Sequence, residues 1–300
     1  MSNTSETVMQ SRAGPLAVKT FGITDRGRVR PSNEDQFLIA ELTKTMRIWQ
    51  ASAVDQTAQF GDERGHLFLV ADGMGGHQGG EEASALAVLA IQEFTLNTLK
   101  WFFEANAQEA QRVLGQFHTA LREADRRIRA EAAEHSELTG MGTTVTMAYH
   151  LNAQLCVVHV GDSRAYLYRG GELEQVTRDH TLMADLLRSG DIQPADVAKH
   201  RFRHVITNVV GGSDVGVNVE AHAMEVDAGD RLLMCSDGLT EMVTDDVIAA
   251  TLRAEPDPEQ ACRTLLATAN EAGGRDNITL PQSRRPLMCV SMWRIKIGEP

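Results

Sequence analysis

The period of the hydrophobic positions changes along the chain and divides it into predicted elements. Residues 16–40 read as two short strands joined by the polar turn VRPSNED, and the apolar run at 67–70 ends in Asp72 and a glycine-rich turn. Residues 41–66 are weakly periodic and favour a loop or an irregular hairpin. Two segments with apolar residues at helical spacing follow at about 81–103 and 108–134. We expect these two helices to pack antiparallel.

Beyond residue 140 the pattern becomes that of strands. The runs 143–150, 154–160 and 164–171 are rich in β-branched and aromatic residues and predict an antiparallel meander. The turn GDSR places Asp162 between the second and third runs. Further strands are predicted at 219–226 and 231–234, helices at about 245–253 and 258–271, and a last short strand after Asp276.

The segment 178–216 is less ordered, with a short helix predicted at about 182–189. It contains the densest cationic stretch of the chain, KHRFRH at 199–204. His200 and His204 are four residues apart and could bind a metal from a helix, but the sequence offers no third ligand nearby. A solvated basic flap is the favoured interpretation.

Composition narrows the possible functions. The chain has 300 residues and a formal net charge of −12, which disfavours nucleic acid as a partner because phosphate backbones require clustered cations. No apolar run is long enough for a membrane span, and residues 1–15 read as a disordered lead without signal-peptide character. Cys156 and Cys235 lie in apolar runs and are expected to be buried free thiols. A cytoplasmic location is therefore predicted.

Five aspartates stand at predicted strand ends or turns, namely Asp35, Asp72, Asp162, Asp237 and Asp276. Each alone is uninformative because aspartate is common in turns. If several converge, however, their burial costs several kcal/mol each unless they are paired. Few cationic side chains lie near them in sequence. Oxygen-only ligation is typical of Mg²⁺ or Mn²⁺ rather than zinc.

The motifs VRPSNED, VADGMGGHQGGEEAS, TGMGTT, VGDSRAYL, CSDGL and GRDNIT occur in that order between about residues 21 and 280. This series resembles the bacterial metal-dependent type 2C (PPM) Ser/Thr protein phosphatases. The resemblance implies an α+β fold, a four-layer αββα sandwich in which two central antiparallel β-sheets are flanked by helix pairs. It also implies a single phosphatase domain at 16–280, with a flap at about 178–216.

The resemblance implies a role for each matching residue. Asp72 corresponds to the carboxylate that bridges two Mn²⁺ or Mg²⁺ ions, and the Gly73 carbonyl to a ligand of one of them. The other metal-binding positions are Glu34, Asp35, Asp237, Asp276 and, for a third and weaker ion, Asp162. Arg30 corresponds to the clamp on the substrate phosphate, a task suited to its bidentate fork. His77 corresponds to the general acid for the leaving alcohol.

The implied function is hydrolysis of phosphoserine and phosphothreonine by a metal-activated water, in opposition to bacterial Ser/Thr kinases. Phosphorylated proteins, including such a kinase, are the expected partners, and the chain is expected to be a monomer. The alternative is a non-catalytic or impaired regulatory module of the same fold. Residues 281–300 depart from the family pattern, because Pro281 cannot donate in a central strand. Either the strand is interrupted there and resumes near 288–297, or the tail packs differently.

Overall fold

The structure is a computed structural model, and it describes residues 18–47, 58–75, 79–97, 107–197, 200–212 and 216–285. The strands are β1 Lys19–Asp25, β2 Asp35–Arg47, β3 Ala58–Met74, β4 Gly142–Thr143, β5 Val145–Leu151, β6 Gln154–Val160, β7 Arg164–Arg169, β8 Glu172–Gln175, β9 Glu220–Glu225, β10 Arg231–Cys235 and β11 Ile278–Arg284. The helices are α1 Gly79–Asn97, α2 Ala107–Glu134, α3 Leu182–Ser189, α4 Pro194–Val197, α5 Asp237–Thr240, α6 Asp245–Ala254 and α7 Pro258–Glu271. A single 3₁₀ turn, Ser136–Leu138, follows α2.

The strands form two antiparallel sheets that pack face to face. One has the order β1-β11-β10-β7-β8, and the other has the order β2-β3-β5-β6-β9 with β4 paired to β3. Helices α1 and α2 cover the outer face of the second sheet, whereas α6 and α7 cover the outer face of the first. The predicted four-layer αββα sandwich with its two helix pairs is confirmed.

Three apolar layers hold the sandwich together. The layer between the sheets includes Phe68, Val157 and Leu167, all nearly inaccessible to solvent. Helix α7 buries Ala261, Leu265 and Ala269 at four-residue intervals, so one face of the helix packs on its sheet. The two sheets therefore pack against each other and against their helices. Loops at the edge of the sandwich are anchored to both sheets.

The predicted three-strand meander is wrong. Strands β5 and β6 pair with each other, but β7 pairs with β10 and β8 in the opposite sheet. The chain changes sheet at the GDSR turn, where Gly161 has φ = +114°. Period-two alternation marks each strand as half-buried, but it does not say which sheet the strand joins.

Residues 41–47 and 58–66 are strand, so the weakly periodic stretch is the irregular hairpin of β2 and β3, with a register shift between Thr43 and Thr45. The strand pairing shifts there by two residues, from Thr43 opposite Arg64 to Thr45 opposite Phe60.

The last strand is not interrupted at Pro281. Strand β11 continues to Arg284, and Pro281 lies opposite Gly22 of β1. Its pairing with β10 covers only Gln282–Arg284, the residues after the proline. The missing N–H therefore affects one position and leaves the strand intact. The suggested resumption near 288–297 and the lead at 1–15 lie outside the described residues.

None of the described helices has the length and apolar character required to cross a membrane. Cys156 and Cys235 are buried free thiols, as predicted.

Candidate metal centre

Most of the predicted site residues lie in one cleft where the two sheets meet. Strand β2 begins, β3 and β10 end, and β11 begins at this edge, so antiparallel pairing collects the turns that carry the motifs. The cleft has a volume of about 950 Å³. Seven of the predicted residues line it: Arg30, Glu34, Asp72, Gly73, Asp162, Asp237 and Asp276. Asp35 lies behind it, and His77 is outside the described residues.

The end of β3 is fixed by the TGMGTT segment. The main-chain N–H of Asp72 donates to Thr144 Oγ1 at 3.0 Å, and the Asp72 carbonyl accepts from Thr143 Oγ1 and from the N–H of Thr144, both at 2.9 Å. A Cβ on Gly73 would lie 2.0 Å from the carbonyl oxygen of Gly80, at the start of α1. Only glycine therefore allows the helix to begin so close to the strand.

Asp35 joins the two sheets behind the cleft. Its Oδ2 accepts hydrogen bonds from Ser236 Oγ and Thr279 Oγ1, each at 2.7 Å. Its Oδ1 is buried and has no hydrogen-bond partner within the described part of the chain. The residue lies directly across the β2–β3 ladder from Asp72, so two carboxylates are neighbours at the edge of one sheet.

Asn277, which had no role predicted from the sequence, holds the VRPSNED loop in place. Its Oδ1 accepts from the N–H of Glu34 at 2.8 Å, and its Nδ2 donates to the carbonyls of Arg26 and Ser32 at 3.0 and 2.9 Å. A Cβ on Gly238 would lie 2.0 Å from the Asn277 carbonyl, so the SDG turn also depends on glycine. The only sequence signal for Asn277 was its place in the GRDNIT motif.

Arg30 and Asp276 form an ion pair across the cleft. The distance from Arg30 Nη2 to Asp276 Oδ2 is 2.5 Å, and the Arg30 side chain is about half exposed, at 53%. Its guanidinium therefore reaches the carboxylates while part of its donor fork faces open solvent, where a substrate oxygen could approach.

The arginine of the GDSR turn is not available to a substrate. Arg164 makes a bidentate ion pair with Asp179, at 2.8 and 2.7 Å, and donates to Tyr166 Oη at 3.0 Å. Asp162 lies beside this pair and has a buried Oδ1 with no hydrogen-bond partner among the described residues. Arg164 therefore fixes the turn, and Asp162 faces the cleft.

The carboxylates raise one another's pKa values. Burial, followed by repulsion from Asp35, Asp237 and other acidic neighbours, raises the pKa of Asp72 well above its usual range. Burial and the charges of Asp162 and Asp276 do the same for Asp237. Burial raises the pKa of Asp35 to about 6, against the opposing hydrogen bonds from Ser236 and Thr279. Burial and Asp179 raise the pKa of Asp162 to about 7.

This arrangement fits a divalent cation. Three buried carboxylate oxygens, one each from Asp35, Asp162 and Asp237, have no donor in the described part of the chain. Their negative charges lie close enough to disfavour ionisation, a penalty that a cation would remove. Within the described ranges no three acidic, histidine or cysteine side chains enclose an ion as they stand. Asp276 is paired with Arg30 in this arrangement.

The flap forms the opposite wall of the cleft. Arg203, His204 and Ile206 line the cleft. Arg275 and Glu241, for which the sequence predicted no role, line it as well. His204 Nδ1 lies 2.9 Å from Glu241 Oε1. His200 Nδ1 instead accepts from the N–H of Phe202 at 3.3 Å, so the two histidines have separate partners and share no ligand site.

Comparisons with known proteins agree with this geometry. The family model described as protein phosphatase 2C matches residues 50–277. The serine/threonine phosphatase stp of Listeria welshimeri is 31% identical over 265 residues, covering 88% of this chain and 95% of that protein.

Solved structures are similar over about nine-tenths of the chain. The Mycobacterium tuberculosis serine/threonine phosphatase PstP/Ppp has a TM-score of 0.72 at 31% identity, covering 90% of this chain and 99% of that chain. A structure of the PstP catalytic domain in complex with two manganese ions has a TM-score of 0.68 at 31% identity, covering 89% and 97%. The chain therefore belongs to the protein phosphatase 2C family and is a phosphoprotein phosphatase.

Proposed function

We propose that this chain removes phosphate from phosphoserine and phosphothreonine in proteins, using two Mn²⁺ or Mg²⁺ ions held in the cleft. The observation that carries the proposal is the set of donor-free carboxylate oxygens on Asp35, Asp162 and Asp237 in and behind a cleft that Arg30 also lines. A hard cation is the partner that such a set selects. The solved PstP catalytic domain in complex with two manganese ions supports the proposal.

The proposed ligands divide between the two halves of the cleft. Asp72 and the Gly73 carbonyl come from the end of β3, and Asp237 and Asp276 come from the other sheet, so an ion bound between them would join both sheets. Glu34, whose main chain is held by Asn277, would orient water bound to an ion. Asp162 would serve a third and weaker ion. Two bound cations would supply charge neutralisation and a lowered pKa for a water between them.

The protein's own groups would bind and orient the substrate. With Asp276 serving as a metal ligand instead of pairing with Arg30, the Arg30 fork would be free to hold two phosphate oxygens and to stabilise charge that develops on them. His77 remains the proposed general acid for the departing serine or threonine oxygen. No side chain of the described cleft is required as a nucleophile, because water attacks phosphorus.

The flap would influence which phosphoproteins enter the cleft. Arg203 and Arg275 line the cleft, and neither has a carboxylate within ion-pair distance in the described part of the chain. These two arginines, which have no ion-pair partner among the described residues and lie at the mouth of the cleft, would attract acidic or multiply phosphorylated segments. We place Lys199 and Arg201 in the same basic stretch on sequence grounds. The protein would act in the cytoplasm as a monomer. Its proposed signalling partners are bacterial Ser/Thr kinases, whose action it would oppose.

The proposal is tested with p-nitrophenyl phosphate and purified protein. Mn²⁺ should support hydrolysis, and Asp237→Asn should abolish it, because the substitution removes a ligand charge without changing side-chain size. Asp227→Asn, at the opposite end of β10 and exposed to solvent, is the matched control and should retain full activity. Equal turnover after complete metal removal would contradict the mechanism. Absence of Mn²⁺ binding by calorimetry would instead favour the non-catalytic module.

A further inference from the structure

Two histidines that the metal chemistry does not use hold the peptide of Gly161. His159 is fully buried on β6, and its Nε2 lies 3.0 Å from the carbonyl oxygen of Gly161 and 3.1 Å from that of Arg178. Its Nδ1 lies 2.8 Å from Thr146 Oγ1. Because carbonyl oxygens only accept, Nε2 must carry the proton. His159 therefore ties Gly161 to the start of the flap at Arg178.

His180 binds both main-chain polar groups of Gly161. Its main-chain N–H donates to the Gly161 carbonyl at 2.7 Å, and its ring Nδ1 accepts from the Gly161 N–H at 3.1 Å. A backbone N–H can only donate, so Nδ1 must be unprotonated and the proton must sit on Nε2. That nitrogen faces Glu220 Oε2 at 3.3 Å. The two imidazole rings lie 4.8 Å apart.

The far end of the flap is tied to the same residue. The His180 carbonyl accepts from the N–H of Thr207 at 2.8 Å, and its Nδ1 also lies 2.9 Å from Asn208 Nδ2. Asn208 in turn exchanges two hydrogen bonds with the main chain of Asn218, at 2.6 and 3.1 Å. One histidine thus connects both ends of the flap to the turn at Gly161.

Movement of Gly161 would reach the metal ligands directly. Its φ of +114° and the 2.5 Å approach of an added Cβ to Thr144 leave no room for another residue. Thr144 holds the N–H of Asp72, and the residue after Gly161 is Asp162. The Gly161 peptide is therefore covalently or sterically adjacent to two of the proposed metal-binding segments.

We propose that His180, supported by His159, is a positioning residue that sets Asp162 for its cation and transmits the position of the flap to that site. This inference rests on the role of Asp162 proposed above. Loss of an outer partner of a metal ligand typically lowers metal affinity by about 10- to 100-fold.

Two amide variants separate the two sides of the ring. His180→Asn places its oxygen near the position of Nδ1 and can still accept from Gly161, but it does not reach Glu220. His180→Gln places its amide near Nε2 and can still donate to Glu220, but it offers Gly161 no acceptor. His222→Gln changes another partner of Glu220, with no contact to Gly161, and is the matched control.

The experiment titrates Mn²⁺ into each purified full-length variant by calorimetry and follows the Gly161 amide by nitrogen NMR. His180→Gln should lower the affinity of the weakest Mn²⁺ site about tenfold or more. It should also speed the exchange of the Gly161 amide hydrogen with solvent. His180→Asn and His222→Gln should stay close to wild type in both measurements. Equal weakening in His180→Asn and His180→Gln, or none in either, overturns the inference.

A measurement on the wild-type protein does not depend on whether the variants fold. In a titration with Mg²⁺, which is diamagnetic, the Gly161 amide and His180 Nδ1 resonances should shift with the same midpoint. The nitrogen chemical shift of Nδ1 should be that of an unprotonated nitrogen. A protonated Nδ1, or resonances of Gly161 and His180 that do not shift when Mg²⁺ is added, would refute the proposal. If wild-type protein binds neither ion, the proposed metal-dependent function itself fails, which is a different result.

Discussion

Asp35→Asn should stabilise the metal-free protein while it weakens metal binding. Asp35 is only 3% exposed, and its Oδ1 has no hydrogen-bond partner among the described residues. The asparagine oxygen can still accept from Ser236 and Thr279, as Oδ2 of Asp35 does now. The substitution therefore removes a buried charge and keeps the two hydrogen bonds that join the sheets.

The magnitude follows from the pKa of the buried carboxyl. Burial raises the pKa of Asp35 from 3.8 to about 6. Between about pH 4 and about pH 6, an aspartate in the unfolded chain has lost its proton, whereas Asp35 in the folded protein still holds it. The free energy of unfolding therefore falls as pH rises through this range. At about 1.4 kcal/mol per pH unit, the full penalty is roughly 3 kcal/mol and is complete above the folded pKa.

The assay is equilibrium urea denaturation in the presence of a chelator at pH 4, 6 and 8. The advantage of Asp35→Asn over wild type should be near zero at about pH 4 and should approach roughly 3 kcal/mol at pH 8. Asp227→Asn, which changes an exposed carboxylate, should show no such trend. Loss of stability in Asp35→Asn at pH 8, or an advantage that does not change with pH, would show that the carboxylate is not electrostatically strained.

Two further predictions concern the loops around the cleft. Arg203→Glu should lower kcat/KM for an acidic phosphoprotein while leaving p-nitrophenyl phosphate hydrolysis unchanged, with Arg122→Glu on α2 as the exposed control; parallel losses on both substrates would argue against steering. Asn277→Ala removes three hydrogen bonds at about 1 kcal/mol each, so the free energy of unfolding should fall by roughly 3 kcal/mol and Mn²⁺ should bind more weakly. Unchanged stability would mean that the VRPSNED loop is held by other contacts.

The sequence predicted the positions of helices and strands where the local hydrophobic period decides them. Helix α7 has the bounds predicted from its start, Pro258, to its end, Glu271, and it is capped by Asp257, whose side chain accepts from the N–H groups of Glu259 and Gln260. Sheet membership could not be predicted in the same way. Whether β7 pairs with β6 or with β10 depends on the path taken at Gly161, which is a tertiary property.

The candidate site was predictable to the extent that motifs mark it. The sequence placed the five aspartates at strand ends or turns, and the resemblance to the type 2C phosphatases implied the roles of these carboxylates and of Arg30. The residues that position them were not predicted, since Asn277, His159 and His180 act through contacts between segments far apart in sequence. A histidine inside the apolar run QLCVVHV has no periodic signal that separates it from an ordinary buried residue.

The most direct test of the metal centre is anomalous diffraction from crystals grown with Mn²⁺. The proposal predicts two strong peaks about 3.5–4 Å apart, with Asp72 contacting both and with Asp237 and Asp276 turned toward one of them. It also predicts that Arg30 no longer pairs with Asp276 in that structure. Crystals of active protein that show no anomalous peak among these carboxylates would contradict the central claim.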